Sequence, residues 1–424
     1  MSKAFMKSFT PSLLRWGLFL IALSARVVYV LQGYEVPPQD TLDYDEIALN
    51  LLRGDGFVAR ENWFGFELRS WRAPFYPFFL ALVYGVFGYR HLAVQLVQCV
   101  VGALTCLWVQ KLGDRLGPRL GLLSGAVAAF YGPLVAVCSE VMTETWFIFW
   151  LVLGAWALVR EKGVGGWLGG GAAIGMAGLT RPVGLVFLAA LVLVALVKRS
   201  RHLWMRAFWA GLAAGVVLFP WTVRNYQVHG VWPILSTHSG FILARSNGAN
   251  PDWRQAAGWG IERQVFEQTP SEIERDRIWF GQGLSSILNH PQRYARWVLE
   301  RFLRFWYFFR PEYHVWFMTL LPFFVGGFYR FWKTEDFLLL SGFIGISLAV
   351  FSFFLYGAAR FRLPLEPFFI VFAASWIWFL IDYKGLWSTC LWVGGVAGVN
   401  LLVYWQDVVL RAMLLDFLHA FQLK

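Results

Sequence analysis

Eleven stretches of the chain are almost continuously apolar: residues 11–31, 91–110, 119–138, 141–159, 165–180, 183–197, 204–222, 314–331, 335–356, 363–382 and 387–406. Runs of this length with few charges predict membrane-spanning helices rather than the buried elements of a soluble core. Residues 73–88 are also apolar, but the segment is short and opens with Pro74 and Pro77. Polarity returns abruptly after the first span. Pro37 and Pro38 end it, because proline cannot continue a helix. Asp40, Asp43, Asp45 and Glu46 follow, interleaved with Leu42, Ile47, Ala48, Leu51 and Leu52 at helical spacing. This pattern predicts a short amphipathic helix that Gly54 and Gly56 stop. An anionic bilayer repels such an acidic helix. Either the segment is a solvated loop with Asp40 or Thr41 as an N-cap, or its carboxylates have a task.

The basic residues set the expected orientation. Lys198, Arg199, Arg201 and Arg206 form the densest short basic loop, and Lys3, Lys7 and Arg15 precede the first span. Both groups belong on the cytoplasmic side. They share a side only if six spans lie between them, so 73–88 is expected to be interfacial or re-entrant. The N-terminus then stays inside as a retained signal anchor. The outer face receives 32–90, the Ser139–Glu144 corner, Thr180-Arg181-Pro182, the long 223–313 segment and 357–367. Within 223–313, Thr269-Pro270-Ser271-Glu272 reads as a capping box with proline at N1. Arg293, Arg296, Arg301 and Arg304 alternate with Trp297, Leu299, Phe302, Leu303 and Phe305, which predicts a basic helix lying on the membrane surface. Residues 407–424 form a weaker amphipathic tail. The expected organisation is a module at 1–222, an outer-face segment at 223–313 and a second transmembrane module at 314–424.

Composition agrees with this pattern. The 424 residues are 58% hydrophobic, which places the chain among polytopic membrane proteins. The formal charge of +11 flanks spans, so lipid and topology account for it and nucleic acid does not. The four cysteines stand apart in apolar runs, with no metal-ligand spacing. Small-xxx-small pairs at Gly171/Gly175, Gly211/Gly215 and Gly394/Gly398 favour close helix packing. Neither a Walker A motif nor a dinucleotide fingerprint is present.

Candidate chemistry gathers at the expected outer borders. Glu140 and Glu144 lie one helical turn apart. Glu140 suits a helix N-terminus through the macrodipole. Glu144 is a turn deeper, where ionisable groups are costly unless functional or paired. Arg72, Arg181, Arg224, Arg360 and Arg362 all fall at outer borders. Each taken singly suits snorkelling. Together with the carboxylates they suit a substrate that carries phosphate and a hydroxyl to be deprotonated.

These residues resemble a family. Asp40, Tyr44, Ala48, Gly54, Gly56 and Phe57 are followed by Arg72-Ala73-Pro74-Phe75-Tyr76-Pro77 and Ser139-Glu140-Val141-Met142-Thr143-Glu144. Then come Thr180-Arg181-Pro182, Pro220-Trp221-Thr222-Val223-Arg224-Asn225 and Arg360-Phe361-Arg362-Leu363-Pro364-Leu365-Glu366-Pro367. The set resembles membrane glycosyltransferases of the GT-C fold, most of all the bacterial branch related to protein O-mannosyltransferases and lipid A aminoarabinose transferases. The resemblance implies an all-α protein of about eleven spans with amphipathic juxtamembrane helices in the first outer loop. It implies inverting transfer of a sugar from a polyprenyl-phosphate donor to a protein, lipid A or glycan hydroxyl. The reaction would lie at the periplasmic face of a bacterial inner membrane. By the same resemblance Asp40 is the base, Glu144 the second acidic residue, and Arg72, Arg224, Arg360 and Arg362 the donor-phosphate contacts. Asp43 departs from the basic residue of some relatives and creates Asp43-x-Asp45, like a metal-binding DxD. Asp43, Asp45 and Glu140 are therefore secondary acidic candidates. The expectation is no metal and no other cofactor, because relatives with monophosphate donors need none. A lipid or glycan transporter is the rival class, and would require charged groups midway through spans or broken helices in paired positions.

Overall fold

A computed structural model describes residues 11–33, 38–60, 66–115, 118–160, 163–232, 235–247, 265, 267–306, 311–333, 335–355 and 359–406. The helices in chain order are α1 (Pro11–Leu31), α2 (Pro38–Arg53), α3 (Phe75–Phe87), α4 (His91–Gly113), α5 (Pro118–Phe130), α6 (Gly132–Ala136), α7 (Glu144–Arg160), α8 (Val164–Thr180), α9 (Val186–Lys198), α10 (Arg201–His229) and α11 (Ser239–Asn247). They continue as α12 (Glu272–Asn289), α13 (Pro291–Phe305), α14 (Pro311–Phe331), α15 (Glu335–Phe353), α16 (Ala359–Arg362), α17 (Glu366–Lys384) and α18 (Leu386–Trp405). Each of the eleven apolar stretches is mostly helical over its described residues. Five described helices are both long and apolar enough to cross a membrane by themselves, and α5 with the following α6 turn makes a sixth if that bent pair counts as one span. The protein is an all-helical, multi-pass membrane protein.

The main core is built by α1, α4, α5, α7, α8, α9, α14, α15 and α17. A Cβ on Gly171 would overlap the backbone of Ala210, and one on Gly175 would press on Ala214, so this small-residue pair lets α8 lie directly on α10. Gly211/Gly215 and Gly394/Gly398 face open space instead. The α5–α6 pair bends by 62°. The carbonyls freed at the bend are met by Arg26 of α1, which is 1% exposed and donates to Ala128 O at 3.3 Å and Ala129 O at 3.2 Å. A charge at that depth is tolerated because it satisfies groups the broken helix cannot.

α3 has 13 residues and is therefore about 20 Å long, short of the bilayer's hydrocarbon thickness. It packs beside α2 over a second core that includes Tyr44, Ala48, Tyr76, Leu80, Val94 and Met142. α2 follows the expected boundaries, and Gly54 and Gly56 take φ of +86° after it. Its faces differ from the expectation. Leu42 and Leu52 are exposed, whereas Asp43 and Asp45 are buried. The acidic face turns inward because each carboxylate finds specific donors there.

A third core joins the first loop to the long segment after α10: Phe57, Leu68, Trp71, Trp221, Phe241 and Trp279 belong to it. The helix expected from Thr269 begins at Glu272 instead, with Ser271 as its N-cap. The Glu272 carboxylate does not turn back to its own helix end. It is taken by the first loop, as described below. Arg301 also departs from the surface-helix expectation. It is buried and donates to Ser352 O, Phe353 O and Asn247 Oδ1, fastening α13 to α15 and α11. The tail at 407–424 lies outside the described residues.

Candidate active site

The bent α5–α6 pair ends in a corner, Ser139–Thr143, from which α7 starts at Glu144. Arg181 follows the last residue of α8. Pro182 disfavours helical geometry at the residue before it, and Arg181 is accordingly extended (φ −148°, ψ 121°), which turns its side chain off the α8 axis. Its Nη2 donates to Glu144 Oε1 at 2.7 Å and its Nε to Thr143 Oγ1 at 2.6 Å. Arg360 of α16 donates through Nε to the same Glu144 Oε1. The carboxylate is 1% exposed, Arg181 17% and Arg360 35%. Three distant chain regions thus meet with two guanidiniums on one carboxylate, and the cations hold the side nearer solvent.

A second cluster lies on α2. Arg72 donates to Asp43 Oδ2 through Nε at 3.0 Å and Nη2 at 2.6 Å, and its guanidinium lies 4.9 Å over the Tyr44 ring. Asp45 accepts from Tyr84 Oη at 2.6 Å and Tyr89 Oη at 3.0 Å, and lies 2.7 Å from His91 Nε2. Burial pushes the Tyr89 phenol up to about 12, and the Asp45 carboxylate beside it adds to the shift. Residues two apart on a helix are rotated by about 200°, and the two carboxylates go to different partners. They are not arranged as a converging DxD pair. Among the described residues no group of three or more His, Cys, Asp or Glu side chains is arranged to hold a metal ion.

The two clusters are neighbours. Thr41 Oγ1 donates to Val141 O at 3.4 Å, which seats the first turn of α2 on the corner that leads into Glu144. Tyr44 packs edge-on against Tyr76 at 5.3 Å, and Phe75 against Trp146 of α7 at 5.1 Å. Tyr76 donates to Gln98 Oε1 at 2.8 Å, and Gln98 donates to the backbone carbonyls of Cys138 and Glu140. The Glu140 carbonyl is thereby part of the corner's scaffold. Asp40 lies in that first turn of α2, and its side chain is outside the described residues.

Two expected phosphate contacts sit elsewhere. Arg362 is 1% exposed, donates to Glu366 Oε1 and to Phe305 O at 2.8 Å each, and lies 3.5 Å over Phe317. It has no open side. Arg224 is half-buried and donates to Arg69 O, Ser70 Oγ, Asn225 Oδ1 and Phe57 O. Ser70 is a junction: its Oγ also meets Asn225 Oδ1 at 3.1 Å and His229 Nε2 at 2.8 Å. Glu272 completes it, accepting from the Arg69 and Ser70 backbone N–H groups and from Thr237 Oγ1. The sequence reading names Arg181, Glu144 and Arg360 but not their mutual contact; it misses Tyr84, His91 and Gln98, and it reads Glu272 only as part of a capping box. The Thr-Arg-Pro context was the one available signal, since a proline after an arginine at a span end throws that arginine sideways.

Residues 71–223 match the family model for dolichyl-phosphate-mannose-protein mannosyltransferase. That range holds Arg72, Glu140, Glu144, Arg181 and, at its end, the approach to Arg224. No curated protein sequence matches the chain. The structure is similar to that of ArnT from Cupriavidus metallidurans bound to undecaprenyl phosphate, with 16% identity, a TM-score of 0.53, and coverage of 94% of this chain and 72% of ArnT. It is also similar to the Archaeoglobus fulgidus oligosaccharyltransferase AglB in complex with an inhibitory peptide and a dolichol-phosphate, with 13% identity, a TM-score of 0.57, and coverage of 93% and 54%. The same archaeal enzyme tethered to an acceptor peptide gives a TM-score of 0.60 at 13% identity, with coverage of 93% and 55%. The chain thus spans about half the length of the archaeal enzyme. The chain has the fold of these GT-C glycosyltransferases, and residues 71–223 carry the match to the mannosyltransferase family model.

Proposed function

We propose that the protein is a glycosyltransferase of a bacterial inner membrane that moves a sugar, with inversion, from a polyprenyl-phosphate donor to a hydroxyl acceptor at the periplasmic face. The observation that carries this reading is the Glu144–Arg181–Arg360 cluster beside the first turn of α2. It puts two partly exposed guanidiniums next to the turn that holds Asp40. In the proposed reaction the acceptor oxygen attacks the anomeric carbon and its proton passes to Asp40. The bond from that carbon to the phosphate oxygen breaks, and the lipid phosphate leaves with the electron pair. Fixed guanidiniums stabilise the charge that grows on it, a role assigned here to Arg181 and Arg360. Arg72, joined to Asp43, fixes the acidic turn of α2 against them. Arg224 and Arg362 are assigned to holding the fold. Asp43 and Asp45 are read as α2 anchors, with no metal required. The rival transporter reading looks for charged groups midway through spans or for paired discontinuous helices; among the described residues one bent pair occurs, and the buried Arg26 of α1 is taken up by the carbonyls of that bend.

The test is the lipid-linked sugar profile of a deletion strain. The reading expects one polyprenyl-phosphate sugar to accumulate while one glycan, lipid or protein modification disappears. An unchanged profile, with purified protein that releases no polyprenyl phosphate from any donor in a panel, overturns it.

A further inference from the structure

We propose that Glu144 is a built-in counter-anion that occupies the lipid-phosphate site in the empty enzyme, and that the donor phosphate must take Arg181 and Arg360 from it. This rests on the reading of that arginine pair as the phosphate site.

Three observations point this way. Both guanidiniums converge on a single oxygen, Oε1, while Oε2 has Thr143 Oγ1 at 3.3 Å. Two cations that share one carboxylate oxygen leave room for an incoming anion with several oxygens to compete for their N–H groups. Next, the carboxylate is 1% exposed whereas the two cations are 17% and 35% exposed, so an incoming anion meets the guanidiniums first. The last observation concerns the direction of attack. An inverting nucleophile approaches opposite the leaving phosphate. A carboxylate bonded to the groups that hold that phosphate is on the leaving side, where it cannot take the acceptor's proton. Glu144 therefore acts on the donor and not on the acceptor.

The role has two consequences. While the site is empty, Glu144 keeps two like charges together and prevents their mutual repulsion. After transfer the lipid phosphate carries a second negative charge, and a carboxylate still competing for the same N–H donors speeds its departure. Glu144 is thus a positioning and release residue that sets the affinity for the spent carrier.

The experiment uses the full-length protein in nanodiscs with undecaprenyl phosphate as the probe. Losing a competitor for charge-assisted hydrogen bonds corresponds to roughly 10- to 100-fold. Glu144→Gln is expected to bind the probe more tightly by that factor and to turn over more slowly, with release limiting. Arg360→Ala is expected to bind it more weakly, and the Glu144→Gln/Arg360→Ala pair to fall between them. Weaker or unchanged binding by Glu144→Gln, with Arg360→Ala still weakened, makes Glu144 a strut for the arginines. That overturns the proposal while the phosphate site stands. Unchanged binding by both Arg181→Ala and Arg360→Ala removes the site itself, and the proposal with it. A measurement on the wild-type chain guards against misfolded variants. Infrared difference spectra with ¹³C-labelled glutamate should show one carboxylate band shift on adding undecaprenyl phosphate, and no shift overturns the displacement.

Discussion

Replacing Arg362 by methionine separates two roles for an arginine that the sequence offers as a phosphate ligand. Arg362 and Glu366 are each 1% exposed and joined at 2.8 Å, with Phe305 O as a further acceptor. Removing one partner of such a pair leaves a buried, uncompensated charge and costs about 3–5 kcal/mol. Replacing both partners with apolar groups of similar volume is often neutral or stabilising. Here one carbonyl bond is lost as well, typically about 1 kcal/mol. Arg362→Met should therefore lose about 3–5 kcal/mol. The Arg362→Met/Glu366→Leu double variant should return to within about 1–2 kcal/mol of the parent. The assay is unfolding in mixed micelles, read by tryptophan fluorescence, with release of undecaprenyl phosphate as the activity readout. The expected double variant is folded and turns over at close to the parent rate. If it folds and releases nothing, Arg362 handles substrate and its assignment to the fold is wrong. If the single variant is as stable as the parent, the buried pair is not the strut described.

Asp40→Asn should fold, since Asn and Asp cap helices about equally well, while transfer falls by roughly 10²–10⁴-fold, the usual contribution of a positioned base; wild-type turnover would reduce Asp40 to a cap. Asp43→Asn should slow transfer much less than Asp40→Asn, because it loosens Arg72 without removing the base; an inactive Asp43→Asn with an active Asp40→Asn would revive the metal-binding reading. Tyr89 is pushed up to about 12 by burial and the Asp45 carboxylate, so its folded-state value lies above the unfolded one. Its contribution to stability is complete below pH 10 and disappears as pH rises towards 12. The wild-type minus Tyr89→Phe ultraviolet titration should show this late step, and Asp45→Asn should move it down; a step near 10 in both would refute the contact. A cysteine at the exposed Phe87, with Cys390 replaced, should react with an impermeant reagent from the periplasm; cytoplasmic labelling would invert the proposed orientation.

Periodicity and length were enough to read the helices, because a continuous apolar run has few alternatives in a bilayer. Pro37-Pro38 and Gly54/Gly56 bounded α2 for the same local reasons. Burial was not legible. Arg360 and Arg362 are two residues apart on one short helix, yet one reaches Glu144 and the other Glu366. Which way each points depends on α7 and α17, hundreds of residues away in one case, and no local pattern records it. For Asp43 and Asp45 the sequence leaves a solvated loop and a functional role both open, because it does not show Arg72 from the first loop, Tyr84 of α3 and His91 of α4 arriving to receive them. Glu272 read as part of a capping box for the same reason, since its true donors lie in the first loop.

The Ser70 junction has a consequence for how the chain is made. The carboxylate that grips the backbone of Arg69 and Ser70 comes from Glu272, 202 residues after Ser70. At ordinary synthesis rates of about 5–20 residues per second, that separation is roughly 10–40 s of translation. During this interval the first seven or eight apolar helices are already leaving the ribosome, while the peptide next to Arg72 still lacks its anchor. The nascent N-terminal half can be inserted and packed, but its first loop is set only when α12 arrives. A ribosome stalled before residue 272 therefore leaves behind a membrane-embedded fragment with unfinished surface around Arg69–Arg72, a natural mark for membrane quality-control proteases to read.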